Sequence, residues 1–169
     1  SEMCIRDRVK VAVVKDAVFF DWLEEHAGAL AACRPDILEH AVERSALLHA
    51  EHIARGGDAF EMGSSRPLDF GHWAAHYMET MSGYTLGHAE AVSVGMCLDI
   101  LYSVKKGWLP SRQAERIIAV LKSLELPVFH PLLTRRTKDG ACEILKGLEA
   151  FREHLGGHLT VLMLTGIGK

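Results

Sequence analysis

The sequence is short of several things, and each shortage removes a class of function. It has no CxxC pair and no zinc-ribbon spacing: Cys4, Cys33, Cys97 and Cys142 are scattered through 169 residues. Thiols so scattered fit a reducing cytoplasm better than a disulfide framework or a cysteine-ligated metal. No sign of charge is in large excess. The formal net charge is -3, which gives no global attraction to nucleic acid or to an anionic membrane. Apolar runs of membrane-spanning length are also missing; the longest candidate, Ala91 to Val104, is interrupted by Asp99. Residues 1–8 are polar and charged, which is not a signal-peptide pattern. There is no GxGxxG, no Walker loop and no GxSxG, so no nucleotide-binding turn or serine nucleophile is marked. Repeats and low-complexity tracts are absent too.

What is present reads as one mainly α-helical domain. Nearly half the residues are apolar and a quarter are charged, ordinary for a globular chain long enough to build a core. Residues 9–26 carry Val13, Val14, Val18, Phe19 and Leu23 at helical spacing. Pro35-Asp36 opens a second helix running to about Ala54, ended by Arg55-Gly56-Gly57-Asp58. A loop over 57–67 follows. A third helix spans about Gly71 to Met81, and Ser82-Gly83-Tyr84 breaks it. A fourth runs from about His88 to Lys106, stopped by Gly107; its Ala89, Ala91, Ser93 and Gly95 suit close packing against another backbone. Pro110-Ser111 opens a fifth, ended by Leu126-Pro127, and one or two more fill 133–154. Past Gly156-Gly157, residues 158–164 read as a short strand. A terminal strand needs a partner, so the chain reads as part of something longer.

The chemistry concentrates in histidines. His72 and His76 lie at i and i+4 and leave one face of one helical turn. A turn containing Gly83 and Gly87 can fold His88 back toward them. Three neutral imidazoles suit zinc or another borderline divalent metal. Spacing alone leaves the three equivalent, and it fits equally a set of half-buried histidines with hydrogen-bonded ring nitrogens. Glu79 and Glu90 are close enough in sequence to orient an imidazole, or to sit on solvated helix faces. Arg66, in the preceding loop with Asp69, is either an anion clamp or a surface ion pair. Met78, Met81 and Met96 read as core.

Leu68-Asp69-Phe70-Gly71-His72-Trp73-Ala74-Ala75-His76, then Gly83-Tyr84 and His88-Ala89-Glu90-Ala91-Val92-Ser93-Val94-Gly95-Met96, resembles the 3-dehydroquinate synthase family. That family shows LNFGHTxxHAIE, a Gly-Tyr turn and HGEAVAIGM. The wider group is the sugar phosphate cyclases, which include the 2-epi-5-epi-valiolone synthases. Val9-Lys10-Val11-Ala12-Val13-Val14-Lys15-Asp16 with Phe19-Phe20 resembles the family's EAVKxxxIxD segment, and Phe151 to Gly157 its closing region. The resemblance implies the helical C-terminal domain of a dehydroquinate-synthase-like fold over residues 9–169, with 1–8 an atypical edge and the N-terminal NAD-binding domain absent. It implies a zinc or cobalt ion on a Glu and two histidines, which map onto His72 and His88. His76 maps onto a substrate-contacting histidine, Lys10 onto a substrate-binding lysine, and Arg66 and Asp69 beside the family's substrate-binding Arg and Asn. In such enzymes NAD transiently oxidises a substrate hydroxyl, phosphate leaves, hydride returns and an aldol step closes the ring. The family usually works as a homodimer on a small sugar phosphate, in the cytoplasm, in the shikimate route to aromatic amino acids.

Three departures qualify the match. The ligating Glu aligns with Asp7, one methylene shorter, inside a stretch that otherwise departs from the family; Asp7 therefore ranks below the histidines as a ligand. An active-site lysine aligns with His49. The family's Asn is Asp69, and Arg66 lies one position closer to it. Losing a fixed positive charge and gaining a negative one disfavours a carboxylate-bearing substrate: like charges ~4 Å apart repel by about 4 kcal/mol at an effective dielectric of about 20. That points to a valiolone-synthase-like cyclase acting on sedoheptulose 7-phosphate as an alternative. Two further alternatives are a related metal- and NAD-dependent alcohol or glycerol dehydrogenase, and a non-catalytic fragment; the isolated chain is expected to be inactive.

Overall fold

A helix that is apolar on every face belongs at the centre of a fold, and the stretch after His88 is one. In the computed structural model, which describes residues 2–56, 69–154 and 156–169, eight α-helices are seen among the described residues: α1 Glu2–Lys15, α2 Ala17–Glu25, α3 Ala27–Ala31, α4 Pro35–Gly56, α5 His72–Met81, α6 His88–Lys105, α7 Ser111–Ser123 and α8 Lys146–His154. Helix α6 buries Ala91 through Cys97 without a gap, and α5, α1 and α7 pack against it. Val92, Val94, Met96 and Ile100 are fully buried. At about 1.5–3 kcal/mol for each such side chain, this one helix carries a large share of the apolar driving force.

The apolar stripe that predicts one helix over 9–26 is cut at Asp16. Its backbone is extended, and its Oδ1 accepts from the amides of Val18 at 3.0 Å and Phe19 at 3.1 Å, capping α2. The Arg44 guanidinium on α4 also donates to Asp16 Oδ2, at 2.5 Å. A carboxylate that satisfies two orphan amides competes with helix continuation. Helix α4 begins with Pro35 as expected, and turns Ala41, Ser45 and Leu48 inward at helical spacing.

The predicted strand over 158–164 is not formed. Among the described residues the β pairing is an isolated bridge between Arg136 and Cys142, in two short 3₁₀ turns' neighbourhood. Residues 158–164 are irregular, with His158, Leu159 and Thr160 exposed. Strand propensity without a neighbouring strand leaves backbone groups to water. The tail is held at its far end instead: Leu164 is buried, the Ile167 amide donates to Gln113 Oε1 at 2.7 Å, and the Gly168 amide to the Val13 carbonyl at 2.7 Å. Cys33, Cys97 and Cys142 are free thiols, and burial pushes Cys97 up to about 12; the Cys4 side chain lies outside the described residues. No described helix is long and apolar enough to cross a membrane.

Candidate metal and substrate site

The histidines are placed by a backbone contact between two glycines. Gly71, at φ 77, ends the approach to α5, and a Cβ there would stand 2.6 Å from the Met96 amide. A Cβ on Gly95 would overlap the Gly71 carbonyl oxygen. Only glycine at both positions lets α5 start directly against α6. Asp99 completes the joint. Buried on α6, it accepts from the Gly71 amide at 3.1 Å and from Trp73 Nε1 at 2.7 Å. Burial pushes its carboxyl up to about 7, against the pull of those two hydrogen bonds. His72 sits between the two anchored residues.

The turn after α5 brings the third histidine back. Gly83 and Tyr84 take left-handed conformations, at φ 63 and φ 62. Ser82 Oγ donates to the Glu79 carbonyl at 2.8 Å and accepts from the Leu86 amide at 3.2 Å. Glu90 Oε2 accepts from the Gly87 amide, so this carboxylate caps α6. The result is a triangle of imidazoles. Ring centroids stand 5.5 Å apart for His72 and His76, 5.5 Å for His72 and His88, and 5.7 Å for His76 and His88.

Each ring has its Nδ1 on an oxygen. His72 Nδ1 lies 3.1 Å from the Phe70 carbonyl. Glu79 takes the other two: Oε2 is 3.2 Å from His76 Nδ1, and Oε1 is 3.1 Å from His88 Nδ1. Carbonyl and carboxylate oxygens only accept, so each Nδ1 carries hydrogen and each neutral ring keeps its lone pair on Nε2. Burial, helped by the positive charge of Lys10, pushes His72 down to about 3, so at neutral pH its ring is uncharged.

A cavity of about 520 Å³ opens beside the cluster, and Asp7, Lys10, His49, Asp69, His72 and His88 all line it. Six of the sequence-predicted residues therefore meet in one place. His76 does not line it; it faces a neighbouring cavity of about 380 Å³ with Trp73, Tyr77 and Phe151. Arg66 lies outside the described residues. Asp7 shares the cavity with His72 and His88, but its Oδ1 is engaged by Arg6 Nη2 at 2.6 Å and by Lys10 Nζ at 3.5 Å. Arg6 and Lys10 are both buried, and burial lowers the proton affinity of each. The candidate donor atoms that lie within 4.8 Å of one another among the described residues are those of His76, Glu79 and His88. Sequence reasoning left Arg6 and Asp99 unassigned, although a lone carboxylate inside an apolar helix was a usable signal for Asp99.

The sequence model of the 3-dehydroquinate synthase C-terminal family matches residues 6–146. The chain belongs to that family. Curated members support the placement. A 3-dehydroquinate synthase of Halorhodospira halophila is 35% identical over 161 residues, which is 95% of this chain and 43% of that protein. One from Pseudomonas aeruginosa is 32% identical over 161 residues, 95% of this chain and 42% of that protein. The family fold is shared with a solved 2-epi-5-epi-valiolone synthase from Streptomyces hygroscopicus subsp. jinggangensis, with NAD+ and Zn2+ bound. It superposes with a TM-score of 0.84 at 28% identity, covering 99% of this chain and 45% of that one. The chain thus spans less than half the length of the 3-dehydroquinate synthases it matches. The helical C-terminal architecture implied by the resemblance is the one observed.

Proposed function

We propose that the chain is the metal- and substrate-binding part of a sugar phosphate cyclase of the dehydroquinate synthase type, a phosphate-eliminating lyase. The observation that carries this reading is the meeting of His72, His88, Lys10 and Asp69 at one cavity. The donor set fits zinc or cobalt: imidazoles with Nδ1 pinned to oxygen and Nε2 left to ligate. His72 and His88 would hold the ion, with Asp7 the third candidate once it leaves Arg6 and Lys10. Such an ion supplies Lewis acidity toward a substrate hydroxyl or carbonyl oxygen. NAD has no GxGxxG cradle in this sequence and is assigned to a domain outside the chain.

The chain's own residues then bind and orient the sugar phosphate. Lys10 Nζ donates to a substrate oxygen, exchanging its Asp7 partner for one. His76, on the edge of the cluster and open to solvent, accepts or returns a proton at Nε2. Asp69, at the cavity edge ahead of α5, holds the substrate with Lys10, and the family resemblance assigns Arg66 a share in that role. A homodimer, as in the family, belongs to this proposal, as does a cytoplasmic setting.

A second reading is the valiolone synthase type. His49 and Asp69, the two substitutions that make the cavity less welcoming to a carboxylate, both line it, and the superposed structure is an enzyme of that name. Two measurements test these readings. Titration of the purified chain with zinc should show one site, and His72→Ala should weaken it at least ~100-fold, about 2.7 kcal/mol; an unchanged affinity overturns the ligand assignment. The full-length protein with NAD and zinc should release phosphate from sedoheptulose 7-phosphate or from the carboxylate-bearing seven-carbon phosphate. Preference for the carboxylate substrate removes the second reading, and release from neither removes both. The isolated chain is expected to bind zinc weakly and without turnover.

A further inference from the structure

We propose that Glu79 is a positioning residue that sets the tautomer of two histidines with one carboxylate, so that the metal-facing His88 and the substrate-facing His76 are aimed together. The proposal rests on the reading of His88 as a metal ligand, and extends it to a residue that reading does not use.

The geometry is specific. One carboxylate divides its two oxygens between two rings: Oε1 to His88 Nδ1 at 3.1 Å and Oε2 to His76 Nδ1 at 3.2 Å. The two histidines come from different helices, α5 and α6, twelve residues apart in sequence. Glu79 is itself on α5, one turn beyond His76, so its bond to His76 is local and its bond to His88 crosses the turn. The Glu79 side chain is only 16% exposed, so little side-chain freedom remains to be lost on holding both rings. The buried Arg6 guanidinium lies within electrostatic reach of the same carboxylate. Glu90 is nearer to His88 in sequence and does none of this, being occupied by the Gly87 amide.

Consequences follow from the donor and acceptor inventory. An ionised carboxylate offers acceptors alone, so both rings must present N–H at Nδ1 and a lone pair at Nε2. That is the tautomer the Phe70 carbonyl imposes on His72. All three rings are thereby held in one state, two of them by a single residue. An amide in place of the carboxylate has one acceptor and one donor group. It can satisfy one ring as before, and the other then faces an N–H donor and is driven to the opposite tautomer, with its lone pair on the wrong nitrogen.

The test uses the whole 169-residue chain, ¹⁵N-labelled and metal-free, in wild type and Glu79→Gln. Two-bond ¹H–¹⁵N spectra report which ring nitrogen carries hydrogen. The wild type should show Nδ1–H on His72, His76 and His88. Glu79→Gln should switch His76 or His88 to Nε2–H and leave His72 alone, and should weaken zinc binding by about 10–100-fold. Unchanged tautomers at both rings overturn the proposal. So does complete loss of zinc binding with unchanged tautomers, which would make Glu79 a ligand. A tautomer switch in a chain whose wild type binds no zinc upholds the positioning and removes the metal reading. Should the variant not fold, Nε2–H on His76 or His88 in the wild type overturns the proposal, and Nδ1–H on both upholds it.

Discussion

The two walls of the cavity satisfy their polar groups in different ways. On the α5–α6 wall, side chains are tied to the frame: Asp99 holds the Gly71 amide and the Trp73 indole, and the histidines rest their Nδ1 atoms on Phe70 and Glu79. Each histidine tie consumes Nδ1 and leaves the lone pair of a neutral ring on Nε2. On the α1 wall, charges are tied to one another. Arg6 and Lys10 meet Asp7, so the carboxylate that would ligate a metal is already used. On the proposed reading the first wall would take an ion as it stands, and the second would first have to break its ion pairs. Preorganisation lies on one side of the cavity.

The strongest way to break this contrast is to loosen the rigid wall. Gly95→Ala places a Cβ on the Gly71 carbonyl oxygen, which is backbone and cannot rotate away. Overpacking of this kind should cost about 3 kcal/mol or more and should weaken zinc binding as well, because His72 follows Gly71. Denaturant unfolding and zinc titration of the variant measure both. A loss below about 1 kcal/mol would show that α5 can shift freely on α6 and that the wall is not rigid.

A smaller effect sharpens what holds the frame. The Asp99 carboxyl, raised to about 7 in the folded chain, keeps a proton that the unfolded chain releases near pH 4. Between those values the native state binds more protons than the unfolded state, so stability falls as pH rises, by at most ~1.4 kcal/mol per unit. Asp99→Asn cannot titrate. It also leaves either the Gly71 amide or Trp73 Nε1 short of an acceptor, an offset that does not vary with pH. The wild-type advantage over Asp99→Asn, followed by melts from pH 4 to pH 7, should therefore shrink by roughly 3 kcal/mol. A constant difference would mean that Asp99 is ionised throughout and that its two hydrogen bonds outweigh burial.

The two walls also differ in how readable they were. The rigid wall is local: His72 and His76 share a helical turn, Gly83 marks the fold-back, and Gly107 stops α6, all of which spacing and turn chemistry announce. Choosing Glu79 over Glu90 needed the tertiary fold, because both lie within reach of His88 along the chain and only the path of the turn decides. Asp16 was hidden for the opposite reason: the apolar stripe continues through it, and the cap is recognisable only once Val18 and Phe19 are seen turning their amides toward it. The tail over 158–164 has a strand's composition, but pairing belongs to a neighbour and not to the segment. Family alignment placed Asp7 and Lys10 of the α1 wall at one site with His49 of α4 and Asp69 ahead of α5, yet alignment carries no information about Arg6, whose guanidinium occupies the Asp7 carboxylate.

Asp7→Glu is the gentlest perturbation and addresses the contrast directly. It restores the ligand type that the family uses and adds one methylene of reach toward His72 and His88, which share its cavity. If the α1 wall is held by its own ion pairs, the longer carboxylate must still leave Arg6 and Lys10, both buried and both paired with it. Giving up two contacts to buried cations is costly, and that cost cancels most of what a third ligand adds. Zinc affinity should therefore rise by less than tenfold, under ~1.4 kcal/mol. Isothermal titration of the two chains at one ionic strength reads the difference. A gain of a hundredfold or more would mean that the shorter side chain was the sole defect, and that the α1 wall is as ready for a metal as the wall it faces.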